Sequence, residues 1–228
     1  MEFEREELLI GDKINILKNK TVLVLGLGGV GGYVTESLAR CGIGNLILVD
    51  YDKVDITNIN RQIIATYDTV GRLKTECFKE RIEKINKNCN VKTLSIFYGK
   101  DNKDILFENK LDYVIDCCDS LESKKILIEE CFKRGIPIIS SMGTGNKFHP
   151  ELFKITKLKK TEYDPLAKKL RFLLKDQKEL LDVDVLYSKE QPMEYKGKIG
   201  SISYVPSVAG LLLTSYVINK FLNVDSFK

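Results

Sequence analysis

"VLVLGLGGVGG", residues 22–32, decides the fold of this chain. An aliphatic run ends in glycines and passes into "YVTESLARCG", which reads as the rest of a helix closed by Gly42. A strand that turns through Gly26, Gly28, Gly29 and Gly31 into a helix brings backbone amides and a helix N-terminus up to phosphate oxygens. The same turn serves many unrelated enzymes. It predicts a nucleotide site and, by itself, no reaction.

Outward from that turn, strand and helix patterns alternate. "NLILVD", "VKTLSIFY", "LDYVIDCCD" and "IPIISS" read as strands, with "RLKTECFKERIEKIN" and "ESKKILIEECFKRG" as helices between them. Such alternation predicts right-handed crossovers and an α/β fold, a Rossmann-like and mostly parallel sheet with helices on both faces. After Ser141 come a strand "LFKITKL", a basic helical stretch "DPLAKKLRFLLKDQKEL" and a second strand "VDVLYS", read as a short antiparallel C-terminal extension. The 228 residues are therefore expected to form one domain. Its parts are an N-terminal helical arm over 1–20, a nucleotide-binding core over 21–141, and a substrate-side extension over 142–228 with a mobile loop near 188–200 and a C-terminal helix.

Composition narrows the class. Hydrophobic residues at 43% and charged residues at 30% are ordinary for a soluble protein, and a net charge of +4 is too mild to name a partner. The six cysteines form no C-x-x-C pair, which argues against structural zinc and predicts reduced thiols in a cytoplasm. The N-terminus is acidic and then amphipathic, unlike a secretory signal. Residues 202–222, "ISYVPSVAGLLLTSYVINKFL", are interrupted by Pro206, serines, Thr214 and Lys220, and are expected to be a buried or dimer-facing helix rather than a membrane span.

The chemistry begins at Asp50, which closes the second strand where a carboxylate accepts hydrogen bonds from ribose hydroxyls. That fits NAD and ATP equally. "VDYDKVDITNINRQ" then places Asn58 and Arg61 just beyond the ribose, and "VGRLKTE" adds Lys74 at a helix start. A redox cofactor has no need of such cations, whereas a triphosphate losing pyrophosphate does. A helix N-terminus contributes only about 0.3–1 kcal/mol toward an anion, so charged clamps must do the rest. Arg61 offers a bidentate fork and Lys74 a point charge. Asp119 in "VIDCCDS" is expected at the carboxyl end of the fourth strand, a hard ligand for Mg2+, with Asp116 as the competing ligand. Cys117 and Cys118 are expected to be packed within that strand.

"GLGGVGG", "LVDYDKVDITNINRQ", "GRLKTE" and "DCCDS", in that order, resemble the ubiquitin-activating-type, or ThiF-type, adenylyltransferases. The resemblance implies an enzyme that uses Mg-ATP to convert a carboxylate to an acyl-adenylate. It places ribose binding on Asp50, phosphate contacts on Asn58, Arg61 and Lys74, and magnesium on Asp119. It also implies a homodimer in which an N-terminal arginine, here Arg5, reaches the neighbouring ATP. "SSMGTGNKFHP", "KLKKTEYDPLAKKLR" and "VLYSKEQP" are similar to the branch of that family that dehydrates threonylcarbamoyladenosine beside the tRNA anticodon into a cyclic form. This implies modified tRNA as partner, with a sulfur-transfer protein as a further partner. His149 and Lys157 stand where that branch usually has acids, and His149, the one histidine, is expected to be structural.

Lys154, Lys157, Lys159, Lys160, Lys168, Lys169 and Arg171 then read either as a face for the tRNA backbone or as a solvated amphipathic helix. Two rival functions stay open. Adenylation of a sulfur-carrier protein's C-terminal glycine uses the same half-reaction, though the branch motifs count against it. An NAD-dependent oxidoreductase explains the glycines and Asp50 but leaves Arg61, Lys74 and Asp119 without a role.

Overall fold

A computed structural model describes residues 2–193, 197 and 199–224. The chain opens with two short helices, α1 (Glu4–Ile10) and α2 (Ile14–Lys18), and then builds β1 (Thr21–Leu25), α3 (Gly29–Arg40), β2 (Asn45–Val49), α4 (Lys74–Glu83) and β3 (Asn90–Leu94). The second half supplies β4 (Tyr113–Asp116), α5 (Leu121–Lys133), β5 (Ile138–Ser141), β6 (Phe153–Lys157), α6 (Pro165–Leu173), β7 (Asp184–Ser188) and α7 (Tyr204–Leu222).

The strands form one sheet in the order β3-β2-β1-β4-β5-β7-β6. Every neighbouring pair is parallel except β6 with β7, the expected antiparallel extension. Strand order reverses between β1 and β4, so a crevice opens beyond their carboxyl ends, where open α/β sheets bind ligands.

Alternation along each strand divides the core. Val22, Val24, Leu46, Leu48 and Ile115 pack on one face with Val34 and Leu38 of α3, while Leu23, Leu25, Ile47, Val49 and Val114 pack on the other with Leu127 and Cys131 of α5. Each fully buried aliphatic side chain stabilises the fold by about 1.5–3 kcal/mol. The apolar C-terminal segment is α7, laid along α3 with Val205, Ala209, Leu213 and Val217 buried. Its approach is close: a Cβ at Gly210 would sit 2.5 Å from the Val30 carbonyl oxygen.

Three elements differ from the sequence expectation. β3 stops at Leu94, four residues short of Tyr98, because β2 offers partners only through Val49. β4 stops at Asp116, so Cys117 and Cys118 lie beyond the strand; the Asp116 carboxylate accepts the Cys118 amide at 3.1 Å and turns the chain. The helix expected over 164–180 ends at Leu173, and a separate 3₁₀ turn covers Lys178–Asp182. Leu174 and Leu180 are both buried, yet six residues of continuous helix would point them about 120° apart. The loop expected near 188–200 lies partly outside the described residues.

Candidate functional site

The glycine turn after β1 is pressed against the loop after β4. Gly26 has φ +86°, and a Cβ there would meet the Cys118 nitrogen at 2.8 Å. A Cβ on Gly31 would come within 1.8 Å of the Gly26 carbonyl oxygen. Only glycine fits either position, and the close approach sets the first amides of α3 at the mouth of the crevice.

Asp50 holds this turn in place. Its Oδ2 accepts the Leu27 amide at 2.6 Å and its Oδ1 the Asp52 amide at 2.8 Å. Burial pushes the carboxyl upward, against the pull of Lys74 and of those two amides. Lys74, at the first residue of α4, is itself buried, with Nζ 3.9 Å from Asp50 Oδ2 and 2.8 Å from Asp52 Oδ2. Asp52 is thus the nearer counter-charge, a role sequence reasoning missed although it lies in the quoted "VDYDK".

Beyond Asp52, a single 3₁₀ turn over Ile56–Asn58 is closed by reciprocal bonds. Asp55 Oδ1 accepts the Thr57 amide at 2.8 Å and Asn58 Oδ1 accepts the Asp55 amide at 3.1 Å. Arg61 donates from Nη1 to the Thr57 carbonyl at 2.8 Å and to Asn60 Oδ1 at 2.9 Å, which orients the guanidinium and leaves its other donors for a ligand. Gln62, also missed, is 7% exposed, and its Oε1 has no partner among the described residues. The "NRQ" run was the available signal.

Gly26, Gly28, Gly29, Asp50, Asn58, Arg61, Lys74 and Asp119 line one cavity of about 430 Å³. Gly31 lies behind it as the packing glycine. Across a wall that includes Arg61, Cys118 and Asp119, the cavity continues into a groove of about 1400 Å³ bordered by the loop after β5 and the N-terminus of α6.

Asp116 and Asp119, three residues apart, have opposite surroundings. Asp116 is fully buried: its Oδ2 accepts Lys124 Nζ at 3.0 Å and Ser140 Oγ at 2.6 Å. Lys124 also donates to the Ser141 carbonyl at 2.8 Å. Burial pulls its ammonium down, but the facing Asp116 outweighs that and the net shift is upward. Asp116 is therefore occupied and is removed as the competing metal ligand. Asp119 is exposed and pairs with no described residue. No group of three His, Cys, Asp or Glu suited to a metal exists among the described residues, so a cation at Asp119 must take most of its ligands from phosphate and water. That is the habit of Mg2+, and the single hard carboxylate fits it. Burial raises the thiols of Cys117 and Cys118, so neither is a thiolate at neutral pH.

Other singled-out residues lie elsewhere. Arg5, exposed on α1, lines neither the cavity nor the groove. His149 pairs with Glu151 at 3.0 Å, is 60% exposed, and lines neither. Lys157 and Lys159 are engaged by Asp184 and Asp182 at 2.8 and 2.6 Å, and Arg171 by the Thr161 carbonyl at 3.0 Å. Lys154, Lys160, Lys168 and Lys169 are exposed, and Lys169 borders the groove.

The ThiF family model matches residues 6–227. The tRNA threonylcarbamoyladenosine dehydratase of Bacillus subtilis is 42% identical, covering 97% of this chain and 94% of that protein. That of Haemophilus influenzae is 33% identical over 94% and 90%. The crystal structure of Escherichia coli tRNA N6-threonylcarbamoyladenosine dehydratase in complex with ATP superposes with a TM-score of 0.92 at 36% identity, covering 97% of this chain and 94% of that one. The same enzyme in complex with AMP gives 0.93 at 35% identity over the same shares.

Proposed function

The chain belongs to the ThiF family, and from that premise we propose that it is an ATP-dependent dehydratase of threonylcarbamoyladenosine in tRNA. One observation carries the reading: a single cavity gathers the glycine turn, Asp50, Asn58, Arg61, Lys74 and Asp119 from segments far apart in the sequence. An oxidoreductase would need only the first two.

In this reading the whole chain is one adenylation domain. Asp50 faces the ribose and the amides opening α3 face the phosphates. A carboxylate oxygen of the threonyl arm forms a bond to the α-phosphorus, and the bond to the bridging oxygen of pyrophosphate breaks. Arg61, already oriented by Thr57 and Asn60, takes the charge that develops on the departing phosphates. Lys74 releases part of its hold on Asp52 to do the same, while Asn58 orients the triphosphate. Asp119 would hold Mg2+, which when bound neutralises phosphate charge. A nitrogen of the same arm then attacks the activated carbonyl, loses its proton and expels AMP. A tethered nucleophile has an effective molarity of up to roughly 10⁵–10⁸ M, so no catalytic cysteine is needed, in keeping with the raised thiols.

Arg5, exposed and absent from the lining of its own cavity, is assigned to the cavity of a second copy in a homodimer. The exposed Lys154, Lys160, Lys168 and Lys169 are assigned to tRNA backbone, and the enzyme to the cytoplasm. The test is incubation with Mg-ATP and tRNA carrying threonylcarbamoyladenosine, followed by mass spectrometry of the nucleoside. Loss of one water is expected. An unchanged mass, with pyrophosphate exchange supported instead by a sulfur-carrier protein, would overturn the assignment.

A further inference from the structure

We infer that the large groove is a purine subsite and that Tyr163 is its base platform: the modified adenosine stacks on this ring while its carboxylate arm reaches across Arg61 and Asp119 into the ATP cavity. The inference rests on the function proposed above and adds to it the place where the substrate base is held.

The groove has the necessary size and connection. At about 1400 Å³ it holds far more than a threonyl arm, and Arg61, Cys118 and Asp119 belong to both spaces. Tyr163 stands on its wall, 64% exposed. Its backbone is left-handed, at φ +55°, a region that costs a bulky side chain and suits glycine or asparagine. For folding alone, an exposed tyrosine is a poor choice here.

The surroundings nonetheless fix it. Asp164, the next residue, caps α6 by accepting the Ala167 amide at 2.9 Å and also accepts Lys147 Nζ at 3.0 Å. Lys147 donates in turn to the Gly143 carbonyl at 2.6 Å. The two side chains are only 2% and 0% exposed. This buried pair joins the loop after β5 to the turn before α6, so both banks of the groove are set in one geometry with the phenol on its rim. Strain held by an over-determined turn beneath an exposed aromatic ring is the arrangement expected of a ligand clamp. The ligand chemistry follows from the ring: unpaired RNA bases are recognised by stacking on aromatic faces, and the Arg61 guanidinium, on the wall shared with the ATP cavity, suits a base with an anionic arm.

The experiment separates this inference from the function beneath it. Wild-type protein is first assayed for water loss from the tRNA nucleoside; failure there breaks the proposed function. With wild type active, Tyr163→Gly is expected to raise KM for modified tRNA about tenfold. KM for ATP should stay unchanged and the melting temperature should stay level or rise, because glycine accepts the left-handed backbone. Tyr163→Phe, which keeps the ring, should remain within about twofold of wild type. A Tyr163→Gly variant with the wild-type KM for tRNA overturns the inference, as does a Tyr163→Phe variant impaired equally with it. Tyr163→Asn, also tolerated at positive φ, carries the same expectation should the glycine variant fail to fold.

Discussion

The ATP cavity over β1 and the groove beyond β5 share a wall but are held in different ways. In the cavity, the polar groups are fixed mainly by main-chain groups: Asp50 by the Leu27 and Asp52 amides, Asn58 by the Asp55 amide, Arg61 by the Thr57 carbonyl. The groove is held instead by a bond between two buried side chains, Lys147 with Asp164. Between them stands the buried Lys124, joining the end of β4 to that of β5. A solvent-facing group of the cavity such as Asp119 is thus free to act on a ligand without supporting the fold, whereas the buried pairs Lys124–Asp116 and Lys147–Asp164 support the fold.

The sharpest way to break this contrast is at Asp119. Asp119→Ala should reduce pyrophosphate release about 10²–10³-fold or more, with melting unchanged, because the side chain pairs with no described residue. Full activity would remove it from the metal role. Lys124→Met should reverse the pattern. It leaves Asp116 as an unpaired buried charge, costing about 3–5 kcal/mol, or about 6–20 °C of melting temperature for a chain of this size. A variant as stable as wild type would show that the β4–β5 junction does not depend on the pair. Lys147→Met should cost less, because Asp164 keeps its α6 amide. Its diagnostic is a rise in KM for tRNA with KM for ATP unchanged. If both constants move together, the groove and the cavity are one mechanical unit.

The same contrast explains what the sequence revealed. The glycine turn, Asp50, Lys74 and Asp119 were legible because each stands close to a strand end or helix start whose pattern surrounds it, and a parallel sheet brings such ends together; Asn58 and Arg61, in the turns between β2 and α4, were legible only from the run of polar residues that carries them. Asp52 was missed because its charge matters only once Lys74 folds back against it from α4. Lys147, Asp164 and the left-handed Tyr163 left no periodic signal; their meaning arises when β6 and β7 bring the turn before α6 against the loop after β5. Asp116 competed with Asp119 until Lys124, within the first turn or so of the next helix, was seen to occupy it.

The smallest expected effect lies on the cavity side, at Glu36 of α3. It receives Arg81 Nε from α4 at 2.6 Å and Arg40 Nε at 2.9 Å, and so ties together the two helices whose first residues line the cavity. Burial pushes its carboxyl up, but the two guanidinium groups outweigh that and the net shift is downward from 4.5. A carboxyl lowered by folding stabilises the native state above its unfolded value, and that contribution disappears as pH falls through the folded one. Glu36→Gln should therefore lower the melting temperature by only about 2–4 °C at pH 7, equivalent to about 1 kcal/mol. The gap should close as pH drops below about 4.5, and high salt should narrow it at pH 7. The fully buried Lys147–Asp164 pair should show no such salt response. A Glu36→Gln gap that persists unchanged at pH 3 would mean that packing of the side chain, not its charge, joins α3 to α4, and the cavity would then be held in the same manner as the groove.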